Sequence, residues 1–229
     1  MAIIELAGIR AVVFDLDDTL YPERSYAFSG FDAVAGWLRK RYPCGFEPAG
    51  RMRELFDTVH RPRVFNQILS ELGIDPTPEF VQGMVGIYRA HTPRISLFQD
   101  AEEALARWSG RFRLGMISDG PLVSQQSKVQ ALRLADRLDR IILTDSWGPG
   151  FWKPHCRAFE DIEEAWGWRE SACIYVGDNA GKDFVAPRKM GWRTVQIRRP
   201  DAVHADAVPP LDGEPEFRMA SLADIVLSS

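Results

Sequence analysis

The sequence predicts an α/β fold, in which a Rossmann-like, three-layer core with a parallel sheet carries an inserted all-helical cap domain. Short apolar runs that end at polar residues alternate with longer helix-like segments, which is the pattern of a parallel sheet covered on both faces. The stretch 22–95 breaks this alternation because it contains only helix-like segments. A chain of 229 residues has room for one core domain and one smaller insertion.

The composition is that of an ordinary globular protein, with 45% hydrophobic and 26% charged residues. A net charge of −4 without a basic block argues against nucleic acid or an anionic membrane as the main partner. No apolar run approaches the roughly 18 residues of a membrane helix, and the N-terminal sequence does not resemble a secretory signal. Cys44, Cys156 and Cys173 lack metal-ligand spacing and favour a reducing compartment, so a cytoplasmic location is expected.

Five short apolar runs are interpreted as strands of the core sheet. In the first of them, the β-branched Val12 and Val13 favour a strand over a helix. The five runs span residues 9–14, 112–117, 141–143, 173–176 and 194–197. Functional crevices of such sheets lie beyond the carboxyl ends of the strands, which is where we expect Asp15, Ser118 and Asp178 to gather.

Helix-like segments follow the strands and fill the insertion. They cover residues 101–108, 122–134, 157–166 and 184–190 in the core, and residues 28–41, 52–59, 64–72 and 80–88 in the insertion. The predicted division assigns residues 1–21 and 96–229 to the core and residues 22–95 to the helical cap. The tail 198–217, rich in Pro and Asp, is predicted to be a loop before a last helix near Leu222.

The strongest chemical signal is a pair of aspartates, Asp15 and Asp17, directly after the first predicted strand. One carboxylate can attack a substrate as a nucleophile, while the other protonates a leaving oxygen and then deprotonates a water. Two close anions also require a cation, and Mg²⁺ suits hard oxygen ligands that it bridges to a phosphate. Taken alone, these residues are also compatible with an acidic loop that caps a strand.

Three further segments carry polar residues that fit the same crevice. Asp178 and Asp183 follow a strand and supply two more carboxylates for a metal site. Ser118 offers a hydroxyl near a helix start, where a phosphate oxygen can bind. Lys153 offers a cation that can neutralise a phosphoryl group and Asp15. Each segment has a simpler alternative, namely a Gly-Asp turn, a helix N-cap and a solvent-exposed lysine.

The order of these motifs along the chain is more specific than any motif alone. An Asp-x-Asp pair is followed by a serine, then by Lys-Pro, then by Gly-Asp with a second aspartate. In this order the sequence resembles the haloacid dehalogenase superfamily, and within it the phosphatase branch with a helical cap between the first and second motifs. The resemblance extends from Ile9 to about Arg198 and covers nearly the whole predicted core.

The resemblance implies a role for each motif residue. Asp15 matches the nucleophile that becomes phosphorylated, and Asp17 matches the general acid and base. The phosphate-binding positions correspond to Ser118, Asp119 and Lys153, and the magnesium ligands to Asp15, Asp178, Asp183 and the backbone carbonyl of Asp17. Asp119 departs from the family, which more often has Asn there. An additional carboxylate near phosphate is unfavourable unless it points away or pairs with a cation.

The expected function is therefore a Mg²⁺-dependent phosphatase that acts on a small phosphorylated metabolite through an aspartyl-phosphate. Nucleotides, sugar phosphates and phosphoglycolate all fit, and the resemblance implies that the cap closes over the leaving group. Asp17 favours phosphate esters over carbon–halogen bonds, because an alcohol leaving group needs a proton. The cap residues that select the substrate are not identified, although the basic segment 61–63 is either an anion-binding element or a solvated loop.

Several alternatives stay open. A phosphoryl transferase or phosphomutase uses the same scaffold, with a sugar hydroxyl in place of water as the acceptor. A non-catalytic binding protein that keeps the fold is a second alternative. A signalling receiver domain fits poorly, because it has no helical cap and its phosphorylated aspartate lies on a later strand than its acidic pair. The chain is expected to act as a monomer or a homodimer.

Overall fold

The computed structural model of the protein describes residues 4–58 and 63–228 and divides into two compact units. The core unit comprises Met1–Glu23 and Ser96–Ser229, and the helical unit comprises Arg24–Ile95. Two features predicted from the sequence fall partly outside the described residues: Arg61 and Pro62 of the basic segment, and the last residue of the helix predicted over 52–59.

The core unit contains a parallel sheet. The strands of the core unit are β1 (Ile4–Ala7), β2 (Ala11–Phe14), β3 (Arg113–Ser118), β4 (Arg140–Leu143), β5 (Cys173–Gly177), β6 (Arg193–Ile197), β7 (Phe217–Met219) and β8 (Ile225–Ser228). Six of them form one sheet in the order β4-β3-β2-β5-β6-β7, with every neighbouring pair parallel. Strand β2 is central, with Ala11 opposite both Arg113 of β3 and Cys173 of β5. The predicted α/β fold is confirmed.

Strands β1 and β8 form a separate two-stranded parallel sheet, in which Ile4 lies opposite Ile225. The prediction of a last helix near Leu222 was wrong. The chain makes only a single 3₁₀ turn there, Leu222–Asp224, and continues as β8. Buried Ile225 and Leu227 alternate with exposed residues in β8, which is the period of a strand. The tail predicted to be a loop, residues 198–217, contains no helix or strand before β7 begins at Phe217.

Eight α-helices are found among the described residues. They are α1 (Glu23–Arg39), α2 (Pro48–Phe56), α3 (Val64–Glu71), α4 (Pro78–Ala90), α5 (Gln99–Trp108), α6 (Leu122–Ala131), α7 (Arg157–Trp166) and α8 (Val185–Lys189). Helix α6 is shorter than predicted, because the chain leaves it at Leu132 and passes through the left-handed Arg133 into a 3₁₀ turn. None of the helices in residues 4–58 and 63–228 is long and apolar enough to cross a membrane.

Helices cover the two faces of the large sheet. Successive residues of a strand point to opposite faces, and the last two residues of β2 do so here. Val13 belongs to an apolar cluster that includes Phe159 of α7. Phe14 instead stacks on Trp108 of α5, with ring centroids 6.0 Å apart. The sheet therefore lies between two helical layers, and all four residues of β2 are buried.

The helical unit has its own apolar core. Helix α1 buries Ala27, Phe31, Val34 and Leu38, whose three- and four-residue spacing marks one face of a helix. Phe31 packs against the aromatic rings of Phe28, Phe56, Phe65 and Tyr88, with centroids 5.8–6.3 Å apart. Apolar burial of this kind is the main source of stability in a small helical unit.

Candidate active site

The candidate site lies at the carboxyl edge of the large sheet, around its central strand. Asp15 directly follows β2, Ser118 is the last residue of β3, and Asp178 directly follows β5. Because these neighbouring strands are parallel, they end at the same edge of the sheet. The backbone N–H of Asp15 still donates to the carbonyl of Val176, at 2.8 Å, so the sheet fixes the position of Asp15. All three side chains are buried.

An acidic cluster forms the floor of the site. One carboxylate oxygen from each of Asp15, Asp178 and Asp183 lies within 4.8 Å of the others. Gly177 permits this approach, because a Cβ atom at this position would lie only 2.5 Å from Asp183 Oδ2. The cluster could therefore not form with any larger residue at position 177 without a shift of Asp183. The Asp17 carboxylate is not part of this cluster.

Lys153 provides the cation of this cluster. Its buried ammonium donates a hydrogen bond to Asp15 and another to the hydroxyl of Tyr175 at 2.8 Å, and it lies 2.9 Å from Asp183 Oδ1. Burial lowers the pKa of Lys153, but the carboxylates of Asp15 and Asp183 outweigh this effect and hold the pKa well above its ordinary value. Lys153 is therefore charged at neutral pH.

The acidic cluster nevertheless has a surplus of negative charge. Three carboxylates face one ammonium, which leaves two negative charges when all groups are ionised. Burial and the neighbouring Asp183 raise the pKa of Asp15 to about 7, although Lys153 lowers it, and burial with Asp15 raises the pKa of Asp178 well above its ordinary value. Hard oxygen ligands with a surplus of two charges fit a divalent cation.

Asp17 is held apart from the acidic cluster by one donor on α6 and one in its own loop. Lys128 of α6, itself buried, places its ammonium 2.6 Å from Asp17 Oδ1, and the hydroxyl of Tyr21 donates to the same oxygen. Burial raises the pKa of Asp17, but Lys128 and the Tyr21 hydroxyl outweigh burial and bring the pKa below its ordinary value. Gln125, one turn before Lys128, reaches Asp17 Oδ2 at 3.5 Å.

The backbone turn after Asp17 is fixed by the third aspartate of the motif. Asp18 has a left-handed φ of 53°, a conformation that Asp adopts more readily than most residues. Its buried carboxylate accepts hydrogen bonds from the backbone N–H groups of Glu23 at 2.8 Å and Val203 at 2.6 Å. Asp18 therefore stabilises the loop that presents Asp17 rather than joining the acidic cluster.

The second predicted motif, Ser118 and Asp119, lies at the carboxyl end of β3 and contributes to the site. The hydroxyl of Ser118 donates to Gln125 Oε1 at 3.0 Å. The next residue, Asp119, turns its carboxylate towards three donors: the hydroxyl of Thr144 at 2.8 Å, the backbone N–H of Lys153 at 3.1 Å and the ammonium of Lys182 at 2.6 Å. Burial raises the pKa of Asp119, but Lys153 and Lys182 bring it below its ordinary value. The unusual carboxylate is thus paired with a cation.

Sequence reasoning missed several side chains of this site. Lys128, Tyr21, Tyr175 and Lys182 each contact a predicted site residue, yet none was singled out from the sequence. Lys182 lies inside the predicted Gly-Asp motif, directly before Asp183, so its position offered a signal. Lys128 offered none, because it meets Asp17 across 111 residues of sequence.

The fold and the site together define an α/β protein with a cluster of buried carboxylates and lysines at the carboxyl edge of a parallel sheet. Family comparison then identifies it. The model of the family described as haloacid dehalogenase-like hydrolase matches residues 9–191, and the chain belongs to this family. The protein is accordingly a hydrolase of the superfamily that the motif order indicated.

Individual relatives cover almost the whole chain. The glyceraldehyde 3-phosphate phosphatase of Methanopyrus kandleri is 28% identical over 95% of this chain and 97% of its own length. The HAD-hydrolase YfnB of Bacillus subtilis, solved bound to magnesium, covers 94% of this chain and 96% of its own with 16% identity and a TM-score of 0.69. The 2-haloacid dehalogenase of Pseudomonas syringae covers 94% and 95% with 21% identity and a TM-score of 0.62. Both structures share the fold of this chain.

Proposed function

We propose that the protein is a Mg²⁺-dependent phosphatase that hydrolyses small phosphomonoesters through an aspartyl-phosphate on Asp15. The observation that carries this proposal is the separate placement of Asp17. Asp15 lies in the acidic cluster beside Lys153, whereas Asp17 is anchored by Lys128 and lies outside that cluster. Two carboxylates with different partners can serve two roles, Asp15 as a nucleophile beside Lys153 and Asp17 as a proton carrier next to Lys128.

In the first half of the proposed reaction, a carboxylate oxygen of Asp15 attacks the phosphorus atom, and the bond from phosphorus to the ester oxygen breaks. The leaving oxygen takes a proton from Asp17 and departs as an alcohol. Lys153, whose ammonium already contacts Asp15, balances negative charge on the transferred phosphoryl group. The hydroxyl of Ser118, now bonded to Gln125, is a donor for a phosphoryl oxygen.

In the second half, water attacks the phosphorus atom of the aspartyl-phosphate while Asp17 removes a proton from that water. The bond from phosphorus to Asp15 breaks, and inorganic phosphate and the Asp15 carboxylate are restored. This step needs Asp17 in its ionised form, which the Lys128 ammonium favours. The first half needs Asp17 protonated, so one residue serves both halves with opposite proton transfers.

Asp15, Asp178 and Asp183 would hold the magnesium ion, together with the backbone carbonyl of Asp17. Their surplus of negative charge and their all-oxygen donor set support this assignment. When bound, the ion supplies charge neutralisation for the phosphoryl oxygens and for the attacking carboxylate. The magnesium described for YfnB supports the same choice of metal.

The relatives guide the choice of substrate. The name of the Methanopyrus kandleri relative makes glyceraldehyde 3-phosphate the first compound to test, ahead of nucleotides, other sugar phosphates and phosphoglycolate. Dehalogenation, the activity named for the Pseudomonas syringae relative, is not favoured. A halide leaves without taking up a proton, so that reaction would not use Asp17 as a proton donor. Three free cysteines support a reducing, cytoplasmic setting, where the enzyme acts as a monomer or homodimer.

The test is phosphate release from a panel of phosphorylated metabolites, with Mg²⁺ and with a chelator. We expect metal-dependent release by the native chain and none above background by Asp15→Asn, which removes the nucleophile. Asp136→Asn is the matched control, since Asp136 is exposed and, within the part of the chain that the structure describes, forms an ion pair with Arg133 alone; it should retain native activity. Equal release by native protein and Asp15→Asn would overturn the aspartyl-phosphate route.

A phosphomutase or phosphoryl transferase is separated from a phosphatase by its products. A hexose phosphate is incubated with the native chain, and both free phosphate and sugar phosphate isomers are measured. The phosphatase proposal expects stoichiometric free phosphate. Isomerised sugar phosphate without free phosphate would contradict it.

A further inference from the structure

The Asp119–Lys182 pair lies beside the proposed phosphate site but has no part in the mechanism above. Lys182 Nζ lies 2.6 Å from Asp119 Oδ2. The two side chains differ sharply in exposure, because 34% of the Lys182 side chain is accessible to solvent and only 3% of the Asp119 side chain. A molecule arriving from solvent would therefore meet the ammonium, with its counterion lying behind it.

Asp119 is fixed independently of Lys182. Its other oxygen, Oδ1, accepts hydrogen bonds from the hydroxyl of Thr144 at 2.8 Å and from the backbone N–H of Lys153 at 3.1 Å. The same Thr144 hydroxyl oxygen lies 3.2 Å from the carbonyl oxygen of Ser118. Asp119 is thus a rigid anchor between the two residues proposed to hold the phosphate, Ser118 and Lys153, and it tethers Lys182 beside them.

The Lys182 ammonium has more N–H donors than its hydrogen bond to Asp119 uses. An ammonium carries three N–H donors, and among the described residues Asp119 is its one hydrogen-bonded partner. Position, accessibility and free donors together point to an anion bound next to Asp15.

We propose that Lys182 is a second phosphate-binding cation, alongside Lys153, and that Asp119 is the positioning residue that holds it. This inference rests on the proposed phosphatase function. A carboxylate at position 119 alone would repel a phosphoryl group, whereas the pair is neutral and presents N–H donors outwards. The charge-assisted hydrogen bond from Lys182 to a phosphoryl oxygen would strengthen both substrate and product binding.

The test compares Lys182→Met, Lys182→Arg, Asp119→Asn and the double variant Lys182→Met/Asp119→Asn. Affinity for inorganic phosphate is measured by calorimetry in the presence of Mg²⁺, which does not depend on turnover. We expect Lys182→Met to weaken phosphate binding and raise KM on the order of 30-fold. Lys182→Arg keeps the cation and should stay within about threefold of native. Lys189→Met, at an exposed lysine that ends α8 and pairs with Asp212, is the control.

The double variant distinguishes the pair from two unrelated residues. Lys182→Met leaves Asp119 as an unpaired buried carboxylate next to the phosphate, so removal of that charge in the double variant should restore part of the lost affinity. Native phosphate affinity and native KM in a folded Lys182→Met variant would overturn the proposal, as would identical losses in the single and double variants. If the native chain releases no phosphate from any compound, the proposed function fails instead, whatever Lys182→Met does.

Discussion

In the core unit, charged side chains are buried next to one another, whereas the helical unit keeps its charges at the surface around a cluster of aromatic rings. The buried charged residues of the core unit are Asp15, Asp18, Asp119, Lys128, Lys153, Asp178, Asp183 and Asp224. Among the described residues 24–58 and 63–95, no Asp, Glu, Lys or Arg is buried. Their ion pairs, such as Arg51 with Glu71, lie at partly exposed positions.

The difference separates residues kept for chemistry from residues kept for stability. Burial of an ion is unfavourable unless partners compensate for lost water, and a fold gains little stability from such pairs compared with apolar packing. In the core unit, the unfavourable burial is concentrated at the residues proposed to react. We therefore expect substitutions of buried charges in the core unit to act mainly on activity, and substitutions in the helical unit to act mainly on stability.

The largest effect is expected for Lys153→Met. The substitution removes the ammonium that contacts Asp15 and Asp183 and leaves the acidic cluster without its cation. Loss of one preorganised charge at a reacting group lowers the rate by roughly 10³-fold, so kcat/KM for phosphate release should fall by about that factor. Lys189→Met, an exposed lysine of the same unit, is the control and should be unaffected. A folded Lys153→Met variant within tenfold of native activity would contradict the expectation that buried charges of the core unit act mainly on activity.

Lys128→Met should produce a smaller loss, confined to kcat. Lys128 holds the Asp17 carboxylate at 2.6 Å, and without it Asp17 loses its position for proton transfer. General acid–base groups contribute roughly 10²- to 10⁴-fold, and loss of position alone should reduce kcat by about 10²-fold with little change in KM. Steady-state kinetics with the best substrate measure both constants.

Two controls make the Lys128 result specific. Lys40→Met changes an exposed lysine of the helical unit and should leave both constants unchanged. In an Asp17→Asn background, Lys128→Met should have little further effect, because both substitutions disable the same proton transfer. Equal changes in KM and kcat, or additive losses in the double variant, would assign Lys128 to substrate binding instead.

Much of the core unit could be predicted because its signals are local. Four continuous apolar residues in β2, followed by Asp15, define a buried strand and its polar end. Alternation with helices then implies parallel strands, which bring Ser118 and Asp178 to the edge where Asp15 lies. Strands β1 and β8 escaped prediction because each depends on a partner about 220 residues away, as Ile4 does on Ile225.

The supporting residues of the site could not be predicted for a related reason. The motif aspartates occur in a recognisable order, but Lys128 reaches Asp17 only because α6 packs beside the first loop. A lysine in an amphipathic helix looks the same in sequence whether it is solvated or buried. Lys182 lay within a recognised motif, yet only the position of the Asp119 carboxylate reveals its partner.

In the helical unit, Gly30→Ala should be destabilising. A Cβ atom at Gly30 in α1 would lie 2.4 Å from the ring of Tyr88, which packs against Phe31 and Phe65 and cannot easily move. Overpacking of this kind costs about 1–3 kcal/mol. Denaturant unfolding measures the loss. A Cβ atom at Gly36 in the same helix would lie in open space, so Gly36→Ala should raise the free energy of unfolding by up to about 1 kcal/mol. Equal stability of the two variants would show that the aromatic rings around Gly30 can move aside.

The smallest effect is expected where a core-unit charge serves stability alone. Asp100 of α5 accepts hydrogen bonds from the Arg199 guanidinium at 2.8 and 3.0 Å, from the Ser221 hydroxyl at 2.6 Å and from the backbone N–H of Leu222 at 2.9 Å. Burial raises its pKa, but these donors outweigh burial and lower it. Because folding lowers the pKa of Asp100, its ionised form stabilises the native state. This stabilisation is fully present above the unfolded pKa of about 3.9 and is lost as the pH falls through the folded pKa.

Asp100→Asn should therefore lower the free energy of unfolding at pH 7 by about 1.5 kcal/mol. This gap, the difference in free energy of unfolding between the native chain and the variant, should narrow as the pH falls below about 4. Unfolding curves at a series of pH values measure this gap, with Asp212→Asn, at an exposed loop position, as the control that should show none. Phosphate release per folded molecule should not change, because Asp100 contacts no residue of the acidic cluster. A gap that persists unchanged into acid would mean that the geometry of the amide, rather than the lost charge, destabilises the variant. The stabilising role of this partly buried charge would then be wrong.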